Sequence, residues 1–525
     1  MLSRFLTVGG LTLLSRLTGF ARDIMLAAIL GAGPVADAFF VAFRLPNHFR
    51  TIFAEGAFNA AFVPAYARVR GEGGAEKAAL FADRIFVLLM ASEAVLLVIA
   101  LAFTPAVIAL LAPGFTGDLE RFPLATELTR ITFPYLVLMS LVSLYGGILN
   151  TIGRFASAAA ASTLLNLTMM ATLALAAFFP TAGHAAAWGV LISGVLQALL
   201  VGGDVARHGA LPTFAALRLD DDVKRFFKAL GPATLGSAGT QIAVFADTII
   251  ASFLTAGALS ALYYADRIDQ LPIGVIGIAV GTVLLPDMAS RLARGDEAGA
   301  RAAQNRAIEF ALLLSVPCLV AFVMVPDLIM LALFAHGAFT AADAAAAGAT
   351  LAAYAIGLIP FVLLRATTAT FLARGDTATP MKALFASVAV NVALKVLLMG
   401  RYAQIGLALA TSAGIWVNFL LLHWFAHRRR LTAFDRRLKL STLKIVIAGV
   451  AMAFALLVGQ RLLAPHVLAL PRLRHETMLA ALAVLSAAVY FGVVIALFGR
   501  RWFAAFAGRK GAMPPSAADV PLPSE

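Results

Sequence analysis

The chain has 525 residues, of which 61% are hydrophobic and only 13% are charged, against about 25% charged residues in a typical soluble domain. The mean hydropathy of +0.90 and uncharged stretches long enough to cross a bilayer exclude a soluble globular protein and predict an all-α polytopic membrane protein. The single cysteine, Cys318, excludes an internal disulfide framework.

Hydropathy predicts fourteen membrane-spanning helices. Their approximate bounds are 6–30, 34–66, 78–111, 122–149, 156–179, 185–203, 230–254, 260–289, 307–334, 344–372, 383–399, 405–425, 445–463 and 478–498. With a cytoplasmic N-terminus, the cytoplasmic segments hold 27 Lys or Arg and the opposite side holds 4, so the positive-inside rule predicts that both termini are cytoplasmic. The net charge of +13 then reflects topology, and nucleic-acid binding is excluded because the basic residues share no common face.

An internal repeat divides the chain. The stretch FLTAGALSALYYADRIDQLP at 253–272 is similar to ILGAGPVADAFFVAFRLP at 29–46. We therefore predict two six-helix lobes, 1–208 and 209–430, which are parallel and related by a pseudo-two-fold axis along the membrane normal. The last two helices lie outside the repeat in a segment at 431–510, and the composition of the cytoplasmic tail at 511–525 is typical of disorder.

Charged residues inside the predicted spans indicate the functional site. A charge that faces lipid would cost about 2.5–3.5 kcal/mol on insertion scales, so we expect these side chains to face a water-filled cavity or one another. Arginine suits phosphate and pyrophosphate groups, and the cavity therefore predicts an anionic, phosphate-bearing substrate. The residues in the first, second and eighth spans are Arg16, Arg22, Asp23, Asp37, Arg44, Arg50, Glu55, Asp266, Arg267 and Asp269.

The alternative is that these charges form structural ion pairs, namely Arg22 with Asp37, Arg50 with Glu55, and Arg267 with Asp266 or Asp269. We interpret Asp37 as a gate residue because it lies near the outer end of its helix, and Glu55 and Asp266 as gate or ion-pair residues. Pro46, followed by Asn47, predicts a kink in the second helix. A structural role is the simpler interpretation for a further set of charged residues: Glu93, Glu127, Arg130 and Glu309.

The stretch SRLTGFARD at 15–23, the one that follows it to Phe58, and YYADRIDQLPIGVIGIAVGTVLLP at 263–286 resemble the MurJ/MviN lipid II flippases of the multidrug, oligosaccharidyl-lipid and polysaccharide exporter superfamily. The resemblance covers about 6–425. It implies a flippase that moves lipid II, the undecaprenyl-pyrophosphate-linked peptidoglycan precursor, from the inner to the outer leaflet of the bacterial cytoplasmic membrane by alternating access. It also implies that four arginines bind the substrate: Arg16, Arg22, Arg50 and Arg267.

Further expectations follow from the resemblance. The last two helices would line a groove for the polyprenyl tail. Some relatives hold sodium between the seventh and eleventh spans, where this chain has Asp247 and Lys395, so we predict that the lysine acts as an internal cation for the aspartate. Gln270 departs from the glutamate of some relatives. Lipid II and membrane lipids are the expected partners, proteins of cell-wall synthesis are candidates, and a monomer could form the complete site.

Two other classes of function remain as alternatives. An enzyme acting on lipid-linked sugars would need larger segments outside the membrane, and a cation-coupled drug exporter would need a cavity rich in carboxylates. A flippase for another lipid-linked oligosaccharide is excluded only by the resemblance. The sequence contains no GxxxxGK[ST] loop and no His or Cys residues at metal-ligand spacing, so we predict no ATP hydrolysis, no cofactor and no metal site.

Overall fold

A computed structural model describes residues 2–49, 57–216, 218–467, 469–470 and 472–499. Within these ranges the chain forms seventeen α-helices, two short 3₁₀ helices at Pro113–Phe115 and Ala176–Phe178, and no β-strand, which confirms the all-α prediction there. The α-helices are α1 Leu2–Leu30, α2 Pro34–Phe49, α3 Phe58–Ala102, α4 Thr104–Leu111, α5 Arg121–Thr132, α6 Pro134–Thr151, α7 Ala156–Ala174, α8 Ala182–Arg207, α9 Asp221–Ser252, α10 Ala258–Ala293, α11 Glu297–Met324, α12 Pro326–Phe334, α13 Ala341–Ala355, α14 Leu358–Leu372, α15 Ala378–Arg428, α16 Arg436–Val467 and α17 Arg474–Phe498.

Length and composition allow nine stretches of the described residues to cross a membrane, which makes the protein a polytopic membrane protein. These stretches are Phe58–Ala102, Arg121–Thr151, Ala156–Ala174, Ala182–Arg207, Glu297–Met324, Ala341–Leu372, Ala378–Arg428, Arg436–Val467 and Arg474–Phe498. The finer count of fourteen spans stays a prediction.

Single residues break two of the long helices. α3 is interrupted at Gly74 (φ 74°, ψ −171°) and α15 at Ala403 (φ 45°, ψ −128°). A straight helix of the 51 residues of α15 would be about 77 Å long, more than twice the roughly 30 Å hydrocarbon core of a bilayer. The break at Ala403 therefore divides α15 into two stretches that are each long enough to span.

The chain divides into two compact units, of which the first contains Met1–Leu271, Pro326–Gly357 and Lys382–Asn418. Within it, α7 packs against α1 and α8, α6 packs against α3 and α8, and α2 packs against α5. Stacked and edge-on rings join α3 to α9, with Phe62 and Phe81 of α3 around Phe226 of α9. Apolar and aromatic packing thus fixes the helices that carry most of the charged residues inside the predicted spans.

The second unit contains Pro272–Val325, Leu358–Met381 and Phe419–Glu525. Here α11 packs against α14 and α16, and α16 packs against α17. The fully buried carboxylate of Glu309 accepts a hydrogen bond from Ser441 (2.6 Å) and forms ion pairs with Arg306 (3.1 Å) and Arg437 (3.5 Å). These contacts tie α11 to the start of α16. The predicted lobe bounds rest on the sequence repeat and stay a prediction.

Candidate functional site

Charged residues of α1 and α10 meet around the carboxylate of Asp23. Arg22 donates to Asp23 Oδ1 from Nε (3.1 Å) and Nη2 (2.7 Å), and Arg267 Nε lies 3.5 Å from Asp23 Oδ2. The hydroxyl of Tyr263 also donates to Asp23 Oδ1 (3.1 Å). Two guanidinium groups share one carboxylate, so the three side chains of Arg22, Asp23 and Arg267 together carry one positive charge in excess. Arg22 and Arg267 therefore pair with Asp23, in place of the alternatives that the sequence left open.

An asparagine of α7 orients Arg22. Arg22 Nη1 donates to Asn166 Oδ1 (2.9 Å), and Asn166 Nδ2 donates in turn to the carbonyl of Ser15 (2.9 Å) and to the hydroxyl of Thr18 (3.1 Å). Gly19 makes this close approach possible, because a Cβ there would lie only 3.3 Å from Asn166 Nδ2. The Asn166 amide thus links α7 to α1 and occupies the Nη1 donor of Arg22.

Arg267 is more available than Arg22. It donates from Nη2 to the hydroxyl of Tyr263 one turn earlier (3.1 Å), and its guanidinium lies 4.7 Å from the centre of the Tyr263 ring. That ring stacks on Phe40 of α2, with the ring centres 3.9 Å apart. The side chain of Arg267 is still 31% exposed, whereas that of Arg22 is 8% exposed. Arg267 can therefore offer N–H donors to an anion.

Asp37 of α2 caps the start of α10. Its Oδ2 accepts a hydrogen bond from the backbone N–H of Gly257 (2.8 Å), and its Oδ1 accepts from the backbone N–H (2.9 Å) and hydroxyl (2.6 Å) of Ser260. The first N–H groups of a helix have no acceptor within the helix, and the positive end of the helix dipole favours a carboxylate. These three donors hold Asp37, which explains why its partner is not Arg22.

Arg121 continues this cluster. Its Nη1 lies 3.9 Å from Asp37 Oδ2 and donates to the carbonyl of Leu254 (3.0 Å), and the guanidinium lies 4.5 Å from the centre of the Phe115 ring. In the loop before α5, the backbone N–H and side chain of Arg121 lower the pKa of Asp118 to about 2. Two side chains thus hold the turn between α9 and α10: Asp37 accepts a hydrogen bond from Gly257, and Arg121 donates one to Leu254.

The turn between α1 and α2 is closed by the loop between α12 and α13. The N–H of Ala338 donates to the carbonyl of Ala28 (2.7 Å). A Cβ at Gly31 (φ 68°) would lie 2.7 Å from the Ala338 carbonyl oxygen, and a Cβ at Gly337 (φ 62°) only 2.2 Å from that of Ala28. Both positions therefore require glycine for their backbone conformation and for the close approach of the two loops.

A second polar group lies where α9 meets α2 and α15. Lys395, which is 1% exposed, forms an ion pair and hydrogen bond with Asp247. Next in sequence, Thr248 accepts a hydrogen bond from Arg44 Nη1 (2.9 Å). The Oδ1 of Asn391, one turn before Lys395, has no hydrogen-bond partner. The predicted pair is thus in contact, and its ammonium occupies the immediate surroundings of the Asp247 carboxylate.

The other predicted residues are distributed around these clusters. Arg16 is exposed on α1, and Asp266 accepts a hydrogen bond from Gln270. Pro46 lies inside α2, which continues as a helix through Asn47 to Phe49. Arg50 and Glu55 lie outside the described residues. In the part of the chain that the structure describes, no group of three or more His, Cys, Asp or Glu could hold a metal ion.

Comparisons with known proteins agree with this architecture. The profile of the family "Lipid II flippase MurJ" matches residues 26–472. A probable lipid II flippase MurJ from Rhizobium meliloti (strain 1021) is 41% identical over 510 residues, 95% of this chain and 94% of the relative. A second, from Rickettsia prowazekii (strain Madrid E), is 32% identical over 93% of this chain and 96% of its own length.

Solved structures show the same fold. The lipid II flippase MurJ in an inward closed conformation matches with a TM-score of 0.78 at 24% identity, over 96% of this chain and 99% of that chain. An inward-facing multidrug resistance MATE family transporter of the MOP superfamily matches with a TM-score of 0.67 at 17% identity, over 79% and 94% of the two chains. The profile and the relatives above 30% identity show that the chain belongs to the lipid II flippase MurJ family.

Proposed function

We propose that the protein is a lipid II flippase, which moves the undecaprenyl-pyrophosphate-linked precursor from the inner to the outer leaflet of the bacterial cytoplasmic membrane by alternating access. It is a transporter and not an enzyme. The observation that carries the proposal is the excess positive charge of Arg22 and Arg267 around Asp23. A pyrophosphate carries multiple negative charges and planar arrays of acceptors, which guanidinium groups bind well. The relatives named above carry the same function in their names.

The arginines have different roles in this proposal. Arg267 contacts the pyrophosphate because its side chain is partly exposed, and Arg22 supplies charge from a fixed position against Asp23 and Asn166. Arg16 and Arg50 extend the cationic path along the first two helices, as the family resemblance implies. The site would thus attract the anionic head group and let the sugar and peptide follow it through the cavity.

Asp37 is the proposed outer gate. With the N-terminus in the cytoplasm, the α1–α2 turn and the start of α10 face outward, and the three hydrogen bonds that Asp37 accepts would hold this side closed. Release of the head group to the outside then requires those bonds to break together. Asp266 and Glu55 remain proposed gate or ion-pair residues.

A groove in the second unit suits the lipid tail. A cavity of about 780 Å³ lies between α11, α14 and α16, and its lining is almost entirely apolar, with Leu312, Leu363 and Val446 on the three helices. Lys439 also lines the groove and would attract an anionic head group or surface. We propose that this groove holds part of the polyprenyl chain while the head group crosses.

The remaining architecture is proposed from the sequence. Fourteen spans would form lobes at 1–208 and 209–430 with a pseudo-two-fold axis along the membrane normal, followed by two helices at 431–510 and a tail at 511–525. Of these two helices α16 lines the apolar groove, whereas no residue of α17 does. A monomer would suffice, with lipid II and membrane lipids as partners and proteins of cell-wall synthesis as further candidates. Lys395 would serve Asp247 as an internal cation, so that transport would not need sodium at this position.

Complementation tests the proposal. A bacterium depleted of its own lipid II flippase would express the wild type, Arg16→Ala, Arg50→Ala or Arg267→Ala, with Arg70→Ala on an exposed loop-side position as the matched control. Each variant is checked for amount in the membrane. Rescue by the wild type and by the control, but not by well-expressed cavity variants, supports the proposal.

Other outcomes would change it. Rescue by all three cavity variants would mean that these arginines are structural. No rescue by a well-expressed wild type would favour a flippase for another lipid-linked oligosaccharide or a cation-coupled drug exporter. The latter is then tested by drug efflux in the same cells.

A further inference from the structure

Two apolar cavities of the first unit meet at one acidic residue. The first, of about 440 Å³, lies between α3, α6 and the start of α9, and the second, of about 460 Å³, lies between α3, α4, α6 and the end of α9. Both are lined by Glu93 and Leu96 of α3. Apart from Glu93, the first has only Ser92 and Ser140 as polar lining residues, and the second has none. We call the joined space the Glu93 groove.

The carboxyl group of Glu93 is buried, and only one of its two oxygens has a hydrogen-bond partner. Glu93 is 7% exposed, and its Oε1 accepts a hydrogen bond from the hydroxyl of Ser140 (2.8 Å). The other oxygen, Oε2, has no hydrogen-bond partner. Within the described residues no ion pair of Glu93 occurs. A buried polar atom without a partner is unfavourable, so Oε2 at the wall of this cavity is an acceptor that a bound molecule with an N–H or O–H donor would satisfy.

The surroundings of the groove show that it opens toward lipid. Large apolar side chains beside it are exposed, among them Leu96, Ile99 and Leu110. Glu93 lies midway along the predicted span at 78–111, so its carboxyl group would lie near the centre of the bilayer. A lipid or prenyl chain would fill the apolar lining but leave Oε2 without a partner. An amine with apolar substituents would fill the apolar lining and also donate a hydrogen bond to Oε2.

We propose that the Glu93 groove binds lipophilic amines. The protonated nitrogen would donate to Glu93 Oε2, and the apolar arms would extend into the two cavities on either side. Apart from Phe58, the groove residues of α3 run from Ile85 to Ala100, about 12 Å to one side of Glu93 and about 10 Å to the other at 1.5 Å per residue. A secondary amine with two alkyl arms fits this arrangement, because its charge lies in the middle of the molecule.

Equilibrium dialysis with a labelled secondary amine tests the proposal. The full-length protein in lipid nanodiscs is dialysed against radiolabelled dioctylamine, with empty nanodiscs as the baseline for partition into lipid. We expect saturable binding to the wild type and binding to Glu93→Gln that is at least about tenfold weaker, because the amide keeps the shape but loses the charge-assisted hydrogen bond. Unlabelled dioctyl ether, which has the same shape without the charge, should compete poorly.

A second pair of variants tests the location even if Glu93→Gln fails to fold. Leu96→Trp would fill the point where the two cavities meet and should abolish saturable binding. Val98→Trp, at a 67% exposed position of the same helix that does not line either cavity, should bind like the wild type. Equal binding by the wild type and Leu96→Trp, competition by the ether as strong as by the amine, or no saturable binding to the wild type would each overturn the proposal.

Discussion

A single carboxylate organises the cationic site. Asp23 keeps two guanidinium groups close together, which would otherwise repel each other. All three nitrogens of Arg22 donate to Asp23 or Asn166, whereas Arg267 is held mainly by its neighbour Tyr263. Arg22 is therefore held more firmly than Arg267, and we expect substitutions of the two residues to have different effects.

Arg267→Lys should reduce transport at least about tenfold, because one ammonium group cannot contact Asp23, Tyr263 and an anion with the geometry of a guanidinium. Tyr263→Phe should have a smaller effect, since it removes a hydroxyl and leaves the ring under Arg267. The measurement is the rate at which lipid II becomes accessible in the outer leaflet of depleted cells. Arg70→Lys is the control, and wild-type transport by Arg267→Lys would contradict the assigned role.

Lys395→Met should lower the thermal unfolding midpoint, because it leaves the Asp247 carboxylate without its buried cation. Sodium should partly restore the midpoint relative to choline at equal ionic strength, since the vacated space and the unpartnered Asn391 Oδ1 could accept a small cation. Asp247→Asn combined with Lys395→Met should lose the sodium response. A wild-type midpoint that rises with sodium as much as that of Lys395→Met would count against the internal cation.

The sequence could predict which charges matter but not how they pair. Arg22, Asp37 and Arg267 stand out because charges are rare in apolar helices. Their partners depend on helix rotation and depth, which single-residue patterns do not determine, so Asp37 was matched to Arg22 although it caps α10. Asn166 and Tyr263 were missed as site residues. Asn166 had a signal, since it is a lone amide in an apolar stretch, but Tyr263 resembles an ordinary membrane-helix tyrosine.

At the scale of elements, the proposed outer gate is the contact between Asp37 and the start of α10. Asp37→Asn should weaken it, because the amide lacks the negative charge that complements the N-terminus of α10. In a Cys318→Ser background, we expect Leu254→Cys, a buried position in this cluster, to be labelled faster by a membrane-impermeant maleimide when Asp37 is replaced. Leu119→Cys, at a 96% exposed position, is the control and should not respond. Equal labelling of Leu254→Cys in both backgrounds would argue against a gate.

Gly337→Ala should destabilise the protein more than Gly375→Ala. Both residues have positive φ (62° and 76°), so both substitutions introduce backbone strain of about 1–2 kcal/mol. Only Gly337 also faces a close neighbour, the carbonyl oxygen of Ala28, whereas a Cβ at Gly375 would meet open space. Thermal unfolding of the two variants measures the difference. Equal midpoints would mean that the contact between the two loops contributes little.

Hydropathy predicted some of the breaks between helices but not all of them. Glycine and proline indicated the turn at Gly31, but the predicted span at 122–149 consists of two helices, α5 and α6, that meet at Phe133. The break of α15 at Ala403 lies in the gap predicted between the spans at 383–399 and 405–425, and the break of α3 at Gly74 lies between the spans at 34–66 and 78–111. The interruption at Phe133 had no such gap, because it depends on how neighbouring helices pack, which local propensity does not contain.

At the scale of the whole molecule, the predicted orientation can be tested directly. Leu119→Cys should be labelled by an impermeant maleimide from outside intact cells, because its loop follows a span that leads away from the cytoplasm. Glu76→Cys, an exposed residue of α3 near the break at Gly74, should react only after the membrane is permeabilised. Both variants carry Cys318→Ser. The reverse pattern would invert the topology and with it the assignment of Asp37 to the outer side.

The first compact unit also has a consequence for biosynthesis, because its residues are not contiguous. Asp247 precedes Lys395 by 148 residues, which a ribosome adds in about 7–30 s at about 5–20 residues per second. During that interval α9 has left the ribosome without its buried cation. It must remain beside the aqueous insertion channel or enter lipid with Asp247 lacking its partner. Assembly of the unit can finish only when α15 docks, so ribosome stalling between α9 and α15 should leave a nascent chain that membrane proteases degrade.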